Sequence, residues 1–395
     1  MATFQLILPQ EVGSLLRANA PLPDIAVLCR IVEPPAIVSW VRQLQRAGVA
    51  VLYEIDDHLL ELPPTSPDYA VHQEPVLRGT LIQLLRWVDG ITVTTAALRD
   101  GLIQYNPRIH VLPNCVDLSV FNAPIQQQGD TPVVIGYVGT RTHAEDFAPV
   151  VPAIKRLAND LAEQVIFRFL NFIPEELRGV AGIEFVDGHP DHRQFAKMMQ
   201  ASGFHVGLAP LVDNPFNRCK SDMKYLEYGS LGVPGIYAAV HPYLDTIRDG
   251  LTGQIVQPHS AEAWYRAIAW MVTHPAERRR MGDAAYRQVT QTRTLQGNLQ
   301  NWNAVYRAAI VERRSQGALS SADDPTRREL EPVSPVLLFE IEQNKNSQIQ
   351  PTGAPRLITP WHRLPVRAIE IFWRQGPAAL LQRACLYWRR IITSS

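Results

Sequence analysis

The chain has 395 residues, 46% of them hydrophobic, and its 38 Lys and Arg are balanced by 38 Asp and Glu. That length and composition can fill one or two cores and exclude collagen-like, disordered and small disulfide-scaffold classes. The balance hides a gradient, from net −5 over residues 1–130 through 0 over 131–312 to +5 over 313–395. Only the last segment suits an anionic surface, and no nucleic-acid partner is expected.

In the first third, a strand at 25–29, a helix at 36–47 and a strand at 49–55 read as a βαβ unit. A helix at 76–87, a strand at 90–94, a helix at 97–105 and a strand at 110–113 continue it as a parallel sheet covered on both faces. The polar stretch 121–132, with its Gln126-Gln-Gln-Gly-Asp run, places a domain boundary near residue 130. A second doubly wound α/β domain follows over 131–312. Its strands are predicted at 133–139, 165–170, 183–186, 205–210 and 235–239, and its helices at 147–161, 193–201 and 221–229. Helices at 261–273, 276–290 and 295–310 close the domain, the last packing back toward the first. Residues 313–360 lose periodicity and read as a linker. Residues 361–395 carry six arginines against the single acid Glu370, with Trp361, Trp373 and Trp388 interleaved. They read as a basic amphipathic helical tail, suited to an anionic membrane surface or to docking on the body or on a pathway partner.

Cys29, Cys115, Cys219 and Cys385 are far apart and form no Cys-x-x-Cys pair, so reduced thiols are expected rather than a zinc or redox motif. The N-terminus has no cationic stretch ahead of its apolar residues and no apolar run reaches about 18 residues, which predicts a cytoplasmic protein with at most peripheral membrane contact.

Two tandem α/β domains place a ligand in the cleft between them, at the carboxyl ends of the strands. Gly136-Tyr-Val-Gly-Thr-Arg-Thr-His ends a strand in a donor-rich turn, where Gly139 admits a close ligand approach or simply serves the turn. No Gly-x-Gly-x-x-Gly or P-loop is present, which argues against a nicotinamide dehydrogenase or a P-loop NTPase. Lys220, Lys224 and Glu227 fall at i, i+4 and i+7 and so share one face of the predicted helix. They offer two cations for a diphosphate and a carboxylate for a ribose, or else a solvated Lys-to-Glu pair. Asp56 and Asp57 follow a strand, placed to bind an acceptor hydroxyl, to take a proton, or to cap the next helix. An isolated Asp-Asp lacks the further ligands of a hard-cation site. Of the singly placed His143, His189, His192 and His205, only His143 lies in the loop expected to meet a donor.

From about 133 to 310 the sequence resembles the donor-binding domain of retaining GT-B glycosyltransferases of the group 1, family 4 type. The resemblance rests on Gly136-Tyr-Val-Gly, Leu208-Ala-Pro-Leu, Lys220-x-x-x-Lys-Tyr-Leu-Glu-Tyr-Gly-x-x-Gly-Val-Pro, Asp249-Gly-Leu-Thr-Gly-Gln-Ile-Val and Pro275-Ala-Glu-Arg-Arg-Arg-Met-Gly. Thr92-Val-Thr-Thr and Leu112-Pro-Asn-Cys-Val-Asp are similar to the end of the family's acceptor domain, which is short in this chain. The resemblance implies a metal-independent transferase with no cofactor beyond its nucleotide-sugar substrate, acting on a glycan or lipid-linked acceptor. Glu227 matches the second glutamate of the family's Glu-x7-Glu motif, the ribose ligand. The first falls on Cys219, so Asp213 or Asp222 is left to supply its carboxylate. Arg141, Arg218, Lys220 and Lys224 are the candidates for the diphosphate. The rival readings are a non-catalytic GT-B-like module, favoured by Cys219, and a sugar-nucleotide epimerase or hydrolase.

Overall fold

The computed structural model describes residues 22–319 apart from 31–34, 122–123, 126–131 and 190. The segment 361–395 and all but the start of the expected linker lie outside the described residues.

The first sheet pairs β1 (Ile25–Cys29), β2 (Ala50–Ile55), β3 (Gly90–Val93) and β4 (Ile109–Val111) in parallel and in chain order. Its helices are α1 (Ile37–Arg46), α2 (Tyr69–Gln73), α3 (Pro75–Trp87) and α4 (Ala96–Leu102). Starts are dictated locally: Pro75 opens α3 while the Glu74 side chain accepts from the Leu77 N–H, and Thr95 caps α4 through the Leu98 N–H. Every residue of β2 is buried because the strand faces two cores. Val51, Tyr53 and Ile55 point to Ile37, Val41 and Leu84 on one side, while Ala50 and Leu52 meet Trp302 and Tyr306 on the other.

The second sheet is built from β5 (Val133–Val138), β6 (Val165–Leu170), β7 (Ile183–Val186), β8 (Val206–Ala209), β9 (Gly235–Ala238) and β10 (Gln254–Val256). Its order, β10-β9-β8-β5-β6-β7, reverses between β5 and β8, which creates a crevice at their carboxyl ends. Around it lie α5 (Ala144–Phe147), α6 (Val151–Asp160), α7 (His192–Gln200), α8 (Pro215–Arg218), α9 (Met223–Ser230), α10 (Tyr243–Thr246), α11 (Ala261–Thr273) and α12 (Pro275–Thr292). The predicted helix 147–161 is in fact two, because α6 restarts with Pro152 in its first turn, where a missing N–H costs nothing. Gly136 is required for packing, since a Cβ there would fall 2.3 Å from the Phe204 ring.

The last helix, α13 (Leu295–Leu319), runs through the start of the predicted linker, so the helical segment ends later than expected. It lies against the first sheet through Trp302, Tyr306 and Ala309. The chain passes between domains twice, and the two passages are bonded to each other. Val116 N donates to Arg293 O and Leu295 N to Val116 O, both at 2.8 Å. Among the described residues no helix is long and apolar enough to cross a membrane.

Trp302→Ala is expected to lower stability by about 3 kcal/mol, the usual cost of emptying a buried tryptophan site. Urea unfolding of the variant against the parent chain measures it.

Candidate active site

A cleft of about 390 Å³ lies where the carboxyl ends of both sheets meet, within the size range of small-molecule sites. The first domain lines it with Arg30 after β1, Asp57 after β2 and the loop Leu62, Pro63, Thr65, Ser66 and Asp68. The second contributes the turn after β5, Asn171 after β6, His192 and Phe195 of α7, and residues from Asn214 to Glu227. The Thr65 hydroxyl donates to Glu145 and joins the two walls.

In the second-domain wall, Gly139 is needed for close approach, because a Cβ there would lie 2.1 Å from the Tyr137 hydroxyl oxygen. Arg141 follows on the exposed lip. His143 Nδ1 is 2.7 Å from Asp146 Oδ2, and Asp146 Oδ1 accepts from Val212 N at 2.8 Å and Asn217 Nδ2 at 3.2 Å. A carboxylate with its acceptors so used puts the imidazole proton on Nδ1 and leaves Nε2 as an acceptor. Desolvation, resisted by the Asp146 bond and reinforced by the charges of Lys220 and Lys224, pulls the His143 pKa down to about 4. The ring is therefore neutral at physiological pH. Lys224 places its ammonium 5.2 Å from the Tyr137 ring centroid, and Glu227 lines the cleft one turn further along α9.

Lys220 lies apart from that helix. The spacing argument put it on one helical face with Lys224 and Glu227, but α9 starts only at Met223 and Lys220 sits in the turn before it. All three still line the cleft. The turn is a strap from the second domain seated in the first: Phe216 and Cys219 are buried in the first domain's apolar core. Thr95 Oγ1 donates to Cys219 O at 2.8 Å, and Asn114 Nδ2 donates to Ser221 Oγ at the same distance. Burial, with Asp57, Glu61 and Asp100 nearby, pushes the Cys219 thiol up to about 11. A glutamate at 219 would put a carboxylate into that apolar, acid-flanked position at a desolvation cost.

On the opposite wall, Arg30 Nη1 lies 3.2 Å from Asp56 Oδ1 and 3.3 Å from Asp57 Oδ2, and Lys220 Nζ lies 3.7 Å from Asp57 Oδ1. Neither acid caps a helix, since the short helix that follows, Leu59–Glu61, begins after His58. Asp57 faces the cleft, whereas Asp56 is buried beneath it, tied to Arg30.

Three sequence candidates are placed elsewhere. Arg218 points outward, engaged by Asp213 through bonds of 2.6 and 2.9 Å, so neither residue belongs to the cleft. Asp222 is buried under Arg293, which grips both its oxygens at 2.8 and 2.9 Å. The carboxylates lining the cleft are instead Asp57, Asp68, Glu145, Asp146 and Glu227. Sequence reasoning missed Arg30, Asp146 and Asn217. Only the His143-x-x-Asp146 spacing carried a local signal, since i and i+3 meet on a helical turn. Among the described residues no group of three His, Cys, Asp or Glu could hold a metal.

A family model of group 1 glycosyl transferases matches residues 223–288, the stretch that carries Lys224 and Glu227. No curated protein matches the chain in sequence. Among solved structures, sucrose-phosphate synthase from Thermosynechococcus elongatus superimposes with a TM-score of 0.58 at 16% identity, over 77% of this chain and 78% of that one. Anabaena HepE, solved with UDP, gives 0.53 at 13% identity over 79% and 81%. S. aureus TarM, solved as a mutant with fondaparinux, alpha-GlcNAc-glycerol and UDP, gives 0.54 at 12% identity over 71% and 55%. The fold is GT-B. The cleft described above lies between the two domains of that fold.

Two outcomes follow from the strap and the neutral histidine. Cys219→Glu is expected to destabilise the chain by several kcal/mol, as burial of an unpaired charge does, and to supply no activity; thermal unfolding with a turnover assay checks both. For His143, the native pKa of about 4 lies below the ordinary 6.5, so between those values the unfolded chain takes up a proton that the native chain does not. The stabilisation is complete above about pH 6.5 and is lost as pH falls toward 4. Urea midpoints at pH 5 and 7 should differ less in His143→Gln than in the parent chain.

Proposed function

We propose that the protein is a glycosyltransferase that moves a sugar from a nucleoside-diphosphate sugar to a glycan, a lipid-linked glycan or a related acceptor, with retention of configuration and without a metal, in the synthesis of cell-surface polysaccharide or glycoconjugate. The observation that carries this reading is the wall formed by Lys220, Lys224 and Glu227 beside the turn Gly139 to His143, at the reversal of strand order in a GT-B fold. The match to group 1 glycosyl transferases over 223–288 supports it. So does the solution of HepE with UDP-glucose.

In this reading Lys220, Lys224 and Arg141 take up the negative charge that develops on the departing diphosphate, the largest electrostatic demand of the reaction. Ground-state geometry already points these cations at one cleft, so little reorganisation is needed as the glycosidic bond breaks. Glu227 accepts hydrogen bonds from the ribose hydroxyls. His143, neutral and protonated at Nδ1, offers Nε2 to a hydroxyl of the transferred sugar. Asp57, from the other domain, faces the acceptor. The bond between Thr65 and Glu145 joins the walls contributed by the two domains. The carboxylates of Asp57 and Glu227 fill the site despite Cys219, which favours an active transferase over a non-catalytic module.

Release of nucleoside diphosphate from UDP-, GDP- and dTDP-sugars, with pooled glycan and lipid acceptors, tests the reading. One donor class should be turned over, and Lys224→Ala and Glu227→Ala should each lower its kcat/KM by about 10²-fold or more. No release from any donor would refute it.

A further inference from the structure

Lys220 bridges the two walls. Its side chain is 12% exposed, its ammonium lies 3.7 Å from Asp57 Oδ1, and the Phe216 ring centroid is 4.5 Å away. The strap fixes its backbone: Phe216 and Cys219, just before it, are buried in the first domain, and Asn217 is held by Asp146 and Val212. The backbone that carries Lys220 is thereby fixed at the junction of the two walls, and its flexible four-carbon stem lets the ammonium change partners within the cleft. Arg30 holds Asp57 from its other side at 3.3 Å and Asp56 holds Arg30. Two cations and two carboxylates thus neutralise one another across the cleft.

A diphosphate that reaches Lys220 meets a site where a carboxylate already stands as counter-ion. Both anions bind an ammonium in the same way, through charge-assisted hydrogen bonds, so they compete. Arg30 remains on Asp57 when Lys220 changes partner, so the released carboxylate keeps a cationic partner and still faces the cleft.

We propose that Asp57 occupies the donor diphosphate's place on Lys220 in the free protein, and that donor arrival moves Lys220 from Asp57 to the phosphate and turns the Asp57 carboxylate over to an acceptor hydroxyl. The inference rests on the transferase reading above and adds to it a competition between one carboxylate and the substrate for one cation. Its signature is paradoxical for a site residue: removing the charge of Asp57 tightens nucleotide binding while turnover falls.

The test is calorimetric titration of the full chain with UDP, GDP and dTDP, alongside release from the matching sugar donors. Asp57→Asn is expected to bind the preferred nucleotide about fivefold more tightly yet to lose about 10²-fold in kcat. Lys220→Met should bind it at least about tenfold more weakly. The double variant should bind like Lys220→Met alone, because the tightening acts only through that lysine. Asp57→Glu keeps a competing carboxylate and should return affinity toward that of the parent. If Asp57→Asn does not fold, as judged by its thermal unfolding, Asp57→Ser carries the same expectation. A folded charge-removing variant that binds nucleotide no more tightly than the parent overturns the inference, as does additivity in the double variant. Failure of the parent chain to bind any of the three nucleotides overturns the transferase reading and this inference together, whereas binding without tightening overturns this inference alone.

Discussion

The pair of partly buried Arg293 and buried Asp222 holds the architecture at its centre. Arg293 grips both oxygens of Asp222 and also donates to the Asn114 carbonyl at 2.8 and 3.0 Å, while Thr246 donates to Asp222 from another side. One guanidinium therefore ties the head of the second-domain helix α9 to both passages of the chain between domains. Two charges buried this way cost desolvation, and that cost is offset only when every polar atom is satisfied. This cluster comes close to that condition, which fixes the angle at which α9 presents Lys224 and Glu227 to the cleft. It also explains why Asp222 cannot serve as a substrate ligand.

The strap around Phe216 and Cys219 imposes a second constraint of a different kind. It is apolar, and it locks a second-domain turn into a first-domain core. The site is therefore a property of the pair of domains: Lys220 belongs by sequence to the second domain but takes its position from the first. A cysteine is well suited to this place, being small, apolar when protonated and held protonated by its surroundings.

Much of this was legible beforehand. The strands at 165–170 and 183–186 and the helix at 261–273 fall where periodicity put them, because buried parallel strands and amphipathic helices write their burial into local sequence. The cleft residues Gly139, Arg141, His143, Lys224 and Glu227 could be found for a related reason, since strand ends in such sheets are where ligands bind. What was hidden depends on contacts distant in sequence. Arg30 and Asp57 are 27 positions apart and meet only because β1 and β2 pair in register. The burial of Cys219 depends on residues more than a hundred positions earlier, so its packing role in the first domain's core could not be read locally. Lys220 and Lys224 looked alike at helical spacing, and the late start of α9 gave them different surroundings.

The last helix has a consequence for how such chains diversify. Ala50 and Leu52 of the first sheet and Leu112 just beyond β4 are covered by Trp302, Tyr306 and Ala309, residues that follow the whole second domain in sequence. The first domain is thus a discontinuous unit, whose covering wall is made only after the second domain. A nascent first domain leaving the ribosome carries a bare apolar face until some 180 further residues have emerged, and any recombination that exchanges first domains between relatives must carry two separate pieces of sequence to yield a closed core.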